Sequence, residues 1–203
     1  MSGPEGELLD ARRRTRRADL LAAGVALLGA PGRPGVTVRA ACRRARLTER
    51  YFYESFGDRD AFVREVYAHV GAVAHEVLAG AVRDAHGGEG AADPEKVARA
   101  AVEAFVDLLV ETPETARVLL LAPLREPVLG GQGLALVPAF VALVHDQLSA
   151  VTDPAERHMA ALGLVGALTN LFIAHLDGTL AVDRRRLTDH CVALVVSANR
   201  ATQ

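Results

Sequence analysis

Beyond residue 57 the apolar positions keep a helical period, with no alternating run and no hairpin signal, so an all-α fold is predicted. Behind an Asp58 N-cap, Phe62, Val66, Val70, Val73 and Val77 recur at i, i+4, i+8, i+11 and i+15, the stripe of one long helix. His86 to Gly90 ends it, and Asp93-Pro94 opens a helix reaching about Glu111. Thr112-Pro113 starts a short helix through Leu121, and the Pro- and Gly-rich stretch from Pro123 to Gly133 predicts a loop. Further helices are expected over Leu134 to Val151, from Asp153-Pro154 to Leu176, and over Arg184 to Ala198.

Nearer the start, Val38, Ala41, Cys42 and Ala45 fall at i, i+3, i+4 and i+7 after a Thr37 N-cap, with Arg39, Arg43 and Arg44 outside the stripe. Arg46-Leu47-Thr48 interrupts the period, with Leu47 filling the angle between two helices. Thr48 offers a second capping oxygen, and Phe52 and Phe56 sit one turn apart on a short helix beginning at Glu49. Two short helices joined by a three-to-four-residue turn form the geometry that sends the second helix into a DNA major groove. Glu49, Arg50, Tyr51 and Tyr53 are then left facing outward.

Those residue types suit that task. Arginine can bond both acceptors of a guanine edge, a contact worth ~1 to 3 kcal/mol of discrimination, which makes Arg50 the candidate for base readout. Tyr53 can donate to a phosphate, and Thr48 with the free amides of the helix start can position one. Glu49 is repelled by phosphate unless it accepts from a cytosine amino group. The plain alternatives are an Arg50–Glu54 ion pair at i, i+4, worth a few tenths of a kcal/mol, and tyrosines that are simply packed.

Thr37-Val38-Arg39, Ala45, Leu47-Thr48, Phe52-Tyr53, Phe56-Gly57 and Ala61-Phe62 resemble, without a gap, the signature of the TetR (tetracycline repressor) family of transcriptional regulators. Leu20 to Ala23, Leu27-Leu28, Gly32 and Gly35 are similar to that family's first helix and loop, so the likeness spans roughly residues 16 to 62. The resemblance implies homodimeric binding to double-stranded DNA, with Arg39, Thr48, Glu49, Arg50, Tyr51 and Tyr53 at DNA-contact positions and Arg59 at a phosphate-contacting one. Three residues depart from it. Arg46 stands where glycine is usual, at a turn position expected to need positive φ. Glu54 and Ser55 replace aromatic or histidine neighbours, and Arg33 replaces a common aromatic in the loop before the second helix.

Charge divides the chain in the same place. Residues 12 to 50 hold eleven arginines against Asp19 and Glu49, a local +9 within a chain of net charge −2, so the remainder totals −11. A basic end on an acidic body is the footprint of localised phosphate binding. Within it, the run from Arg12 to Arg17 reads as an arm that tracks the DNA backbone, or else as a solvated helix start. The candidate DNA-contact set is therefore Arg16, Thr37, Arg39, Thr48, Glu49, Arg50, Tyr51, Tyr53 and Arg59.

Residues 1–11 carry Gly, Pro and acidic residues without an apolar run. They are expected to form a disordered arm, neither signal peptide nor membrane anchor. Residues 12–57 form the expected helix-turn-helix domain, three helices in all, and 58–203 a helical effector-binding and dimerisation domain. Two cysteines, Cys42 and Cys191, give no disulfide framework and fit a cytoplasmic protein.

Met159 to Leu176 is apolar nearly all round, broken by Thr169, Asn170 and His175. Eighteen such residues meet the length test for a membrane span. The amphipathic neighbours and the two polar groups favour a soluble helix packed on two sides, and no membrane partner is expected. Gly163, Gly166, Ala167 and Ala174 permit close approach of a second subunit, and Val192, Val195 and Val196 supply the second seam of a two-fold, four-helix interface implied by the family. The family also implies an effector pocket for a small molecule of unknown identity, with Phe105, Leu109, Leu120, Phe140, Leu143, Asn170 and Phe172 as candidate lining. Ordinary core packing accounts for the apolar six equally well.

The seven histidines form no pair at i, i+3 or i+4, and neither HExxH nor CxxC occurs, so no metal or cofactor is expected. No nucleophile elbow or phosphate-binding glycine loop points to an enzyme. The reading is a dimeric regulator, expected to be a repressor released from a palindromic operator by a ligand. Its rivals are a DNA-binding dimer without an effector, and a helical binding protein or enzyme whose helix-turn-helix has lapsed.

Overall fold

A computed structural model describes residues 4–32, 35–87, 93–131 and 133–200. Among them the regular structure is helical: α1 (Pro4–Leu28), α2 (Val38–Ala45), α3 (Glu49–Phe56), α4 (Arg59–His86), α5 (Pro94–Glu111), α6 (Pro113–Arg125), α7 (Gly133–His145), α8 (Pro154–Leu176) and α9 (Arg184–Arg200), with one 3-10 turn over Pro127–Leu129. Helix starts follow the capping chemistry. The Thr37 hydroxyl accepts from the Ala40 amide at 3.2 Å, Asp58 from Ala61 at 2.7 Å, Asp93 from Glu95 at 3.0 Å and Asp153 from Glu156 at 2.8 Å.

The first three helices and the start of α4 form a head around one aromatic knot. Phe52 and Phe62 are fully buried, their ring centroids 5.0 Å apart, and Phe56 lies 4.8 Å from Phe62, both pairs edge-on. Leu20, Leu21, Val36, Ala41 and Cys42 complete this core, which continues along α4 into the body without a break. At Gly29 the end of α1 meets the first turn of α6 so closely that a Cβ would stand 2.3 Å from the Glu114 carbonyl oxygen. Only glycine permits that approach. Head and body therefore share both a core and a backbone contact.

Several boundaries differ from the sequence expectations. Residues 4–11, expected to be a disordered arm, are the first turns of α1. Met1–Gly3 lie outside the described residues, as does Arg33 in the loop before α2. The expected loop from Pro123 is partly helix, since α6 continues to Arg125. Proline has no N–H to give the carbonyl four residues back, here that of Leu119. The Tyr67 hydroxyl of α4 lies 3.5 Å from that carbonyl oxygen, which supplies a substitute donor from a neighbouring helix. The helix expected to run to Val151 stops at His145. Gln147 and Leu148 there make tighter bonds to Val144 and His145, and the chain turns to bury Leu148 and Val151 completely.

Helix α8 is long and apolar enough to cross a membrane by length and composition, yet Ala161, Leu164 and Phe172 pack inward against the bundle. Cys42 and Cys191 are both buried, and burial pushes the Cys191 thiol up to about 11. Neither is a reactive thiolate.

Arg46 holds the left-handed conformation expected of it, φ 55°, and its amide closes α2 by pointing at the Arg43 and Cys42 carbonyls. A side chain there costs ~1 to 2 kcal/mol, against ~0.4 to 1 kcal/mol of extra unfolded-state entropy for glycine. Arg46→Gly is therefore expected to stabilise the protein by roughly 0.5 to 1 kcal/mol, read as a rise in urea midpoint at constant slope.

Candidate nucleic-acid interface and ligand cavity

The turn between α2 and α3 leaves Arg39, Thr48, Glu49, Arg50 and Tyr53 exposed on one outer surface. Leu47 packs inward beneath them. Arg39 reaches from α2 to Glu49 at the start of α3, 3.6 Å away, so this carboxylate already has a partner within the chain. Arg50 is bonded to Glu54 at 2.8 Å, the intrahelical pair the spacing allowed, and this bond holds its guanidinium above its ordinary pKa. Such an exposed intrahelical pair contributes little to stability. A bidentate guanine contact is worth ~1 to 3 kcal/mol, so exchanging one for the other favours DNA.

Thr48 is an N-cap by backbone conformation only, because its side chain makes no capping bond, contrary to expectation. The first amides of α3 and the Thr48 hydroxyl are thus left for an anion. Thr37 has its hydroxyl committed to its own helix. Tyr53 is half exposed, whereas Tyr51 is partly covered by the Arg16 guanidinium, 4.1 Å from its ring centroid. Arg16 also bonds the Arg12 carbonyl at 3.1 Å, and Arg17 is paired with Glu65 of α4 at 2.7 Å. Two arginines of the basic run therefore brace α1, while Arg12, Arg13 and Arg14 remain exposed.

Arg59, expected at a phosphate-contacting position, is held by three partners of its own chain. Its Nε donates to the Val36 carbonyl at 3.0 Å, one terminal nitrogen to Asp60 at 2.8 Å and the other to Glu126 at 2.5 Å. Burial alone would lower this guanidinium's pKa, but Asp60 and Glu126 outweigh it and the net effect is upward. Glu126, just past the end of α6, is only 7 % exposed. A Cβ on Gly35 would stand 2.5 Å from its carboxylate. Arg59 is thus a latch between the strand entering α2, the start of α4 and the end of α6.

Behind the latch lies a cavity of about 320 Å³ among α4, α5, α6, α7, α8 and α9. Of the candidate pocket residues, Phe105, Leu120, Phe140, Leu143 and Phe172 line it, the rings of Phe105 and Phe172 4.6 Å apart and tilted by 38°. Leu109 is buried in the core away from it, and Asn170 is exposed, its amide donating to the Gly166 carbonyl of its own helix at 2.8 Å. Tyr67, Gln147, Ser149 and Asn199 line the cavity too, and sequence reasoning missed all four. Asn199 accepts from the Ala150 amide at 3.2 Å. Among the described residues no group of three or more His, Cys, Asp or Glu side chains is placed to hold a metal ion.

No protein-family model and no curated protein matches the chain. Solved structures match it over nearly its whole length. A chain from Pseudomonas aeruginosa PAO1 assigned as a transcriptional regulator is 22% identical, with TM-score 0.72, covering 94% of this chain and 95% of its own. A TetR-like transcriptional regulator from Rhodococcus sp. RHA1 is 20% identical at TM-score 0.69, with coverages of 93% and 97%. This chain has the TetR-type fold. NalD, the secondary repressor of the MexAB-OprM multidrug efflux pump in Pseudomonas aeruginosa, shares it at 18% identity and TM-score 0.64, with coverages of 92% and 96%.

Within the TetR-type fold, the expected seam on α9 is misplaced. Val192 is buried in the core, and Val195 and Val196 line the cavity. Beyond the charged residues at its two ends, the exposed residues of α9 are His190, Ala193 and Ser197, with Asp189 beside them. On α8 the outward stripe is Met159, Leu162, Gly163, Gly166, Ala167 and Asn170, while Ala174 is partly covered. The 3.6-residue period could not say which side of an all-apolar helix faces out.

Arg50→Ala is expected to weaken binding to a selected duplex by ~1 to 3 kcal/mol and to relax its selectivity. Arg59→Gln should leave the slope of affinity against salt unchanged, since its guanidinium is held by Val36, Asp60 and Glu126 of its own chain, while costing ~1 to 3 kcal/mol of folding stability. Titration at several salt concentrations beside urea unfolding separates the two effects.

Proposed function

We propose that this chain is a DNA-binding transcriptional regulator acting as a homodimer, a repressor whose hold on a palindromic operator is weakened by a small ligand in the cavity. The observation that carries the reading is the outer surface of the head. Its base-reading candidate, Arg50, is tied only by an exposed pair that DNA can displace, and the amides of α3 are uncapped by Thr48. The +9 charge of residues 12 to 50 supports the same reading, because it surrounds this surface and not the acidic body.

Dimerisation is assigned to the outward stripes of α8 and α9. Met159 and Leu162 are 56% and 49% exposed, a contiguous apolar burden that a lone soluble helix seldom carries. A Cβ added at Gly163 or Gly166 would meet nothing within 4 Å in the single chain. Small residues on an open face permit a second helix to approach closely. Two-fold symmetry then places two α3 helices on half-sites about one DNA turn apart, ~34 to 36 Å.

Effector control follows from what lines the cavity. Tyr67 belongs to α4, and Leu119 and Leu120 to α6, the two helices whose ends Arg59 and Glu126 join. A ligand that favours one spacing of α4 and α6 shifts the population of head orientations, and the half-site match is lost. The neighbour NalD is a repressor of an efflux pump, and repression is the reading adopted here. Activity in the cytoplasm and the absence of catalysis belong to the same proposal.

Selection of duplexes from a random pool is expected to recover two inverted half-sites. Enrichment of no sequence, or of binding without salt dependence, contradicts the DNA-reading claim. Gly166→Trp should leave the helical content of the chain intact yet lower the mass measured by sedimentation towards that of a monomer. It should also weaken operator binding at least tenfold.

A further inference from the structure

We propose that the cavity takes an apolar molecule with an uncharged or amine head group and discriminates against carboxylates. This rests on the sensor reading above and names its ligand class. Space comes first: about 320 Å³ is near the lower end of small-molecule sites and equals roughly ten waters by liquid volume. Phe105, Phe172, Leu120 and Leu136 make its walls apolar.

Apart from Tyr67 and Thr169, the polar lining residues sit at the end remote from the head. His86 is the last residue of α4, and Asp146 and Gln147 follow the last turn of α7. Ser149 and Asn199 lie with them on the lining. Among the described lining residues there is no lysine or arginine, and Asp146 is the one carboxylate. His86 places Nδ1 2.7 Å from the Val82 carbonyl oxygen. That nitrogen donates, since a carbonyl oxygen only accepts, which leaves Nε2 as the ring atom free for a ligand.

Helix ends add to the bias. The C-termini of α4 and α7 bring partial negative charge to the polar end, which favours a cation and disfavours an anion. The opposing N-terminus of α5 is already occupied by the Asp93 carboxylate, 3.0 Å from the Glu95 amide. Basic residues on the adjoining turns are engaged or turned outward. Arg83 faces Glu76 at 3.8 Å, Arg99 bonds Asp189 at 3.0 Å, and Lys96 is exposed on α5 without lining the cavity. A carboxylate head at this mouth would stand beside Asp146, itself 3.4 Å from His145 Nδ1, with no lysine or arginine among the described lining residues to pair with it. An alcohol can use Gln147, Ser149 or Asn199, and an ammonium gains Asp146.

The test is calorimetric titration of the full-length protein with decan-1-ol, decylamine and decanoate, each below its micelle concentration. Alcohol and amine are expected to bind, with decanoate at least tenfold weaker, which is about 1.4 kcal/mol. Asp146→Asn, at an exposed position, should weaken the amine about two- to fivefold and leave the alcohol unchanged. Leu120→Trp, which fills the cavity, should abolish both. Decanoate binding as tightly as the alcohol, and lost in Leu120→Trp, overturns the ligand class while the sensor reading stands. Failure of all three ligands to bind overturns the sensor reading and the class together.

Discussion

The Arg59–Glu126 pair is the constraint on which the rest of this molecule depends. Its cation belongs to the first turn of α4 and its carboxylate to the chain leaving α6, and its third partner is the Val36 carbonyl just before α2. Three segments that share no local sequence are held to one guanidinium. With Glu126 almost fully buried, the pair is desolvated on one side, and Arg59 is tied at each of its three nitrogens, which fixes its geometry. The contact of Gly29 with Glu114 fixes the other end of α6 to α1. Between these two points α6 cannot move without carrying the head.

Cavity and reading surface are thereby connected through a short run of rigid parts. Tyr67 lines the cavity and lies near the Leu119 carbonyl that Pro123 leaves unserved, so the α4–α6 spacing is sensitive to what stands beside Tyr67. Burial raises the pKa of that phenol, so it stays a neutral donor at physiological pH. From there the covalent run of α6 reaches Glu126, and Arg59 reaches the loop into α2. The position of α3 relative to the body can thus change without rearrangement of its outward side chains.

Local chemistry made the head legible. Thr37 and Asp58 cap its helices where the sequence placed them, as Asp93 and Asp153 do in the body, and the Phe52 and Phe56 spacing marked the face that meets Phe62. Arg46 announced its own strain by standing in a turn that needs positive φ. What could not be read depended on partners far along the chain. Arg59 finds Glu126 sixty-seven residues away, so a position that suggests phosphate contact becomes an internal latch. Pro123 continues a helix because another helix brings a hydroxyl near its orphaned carbonyl. Val195 and Val196 face the cavity, and an all-apolar stretch carries no mark of which side is wet.

A double-mutant cycle on Arg59→Gln and Glu126→Gln, read both in urea unfolding and in affinity for the selected operator, tests the central claim most directly. The account predicts a coupling energy of ~1 to 3 kcal/mol in unfolding, with each single variant also loosening the operator complex although neither residue faces DNA. Additive effects on stability, or operator affinity untouched by Glu126→Gln, would contradict it.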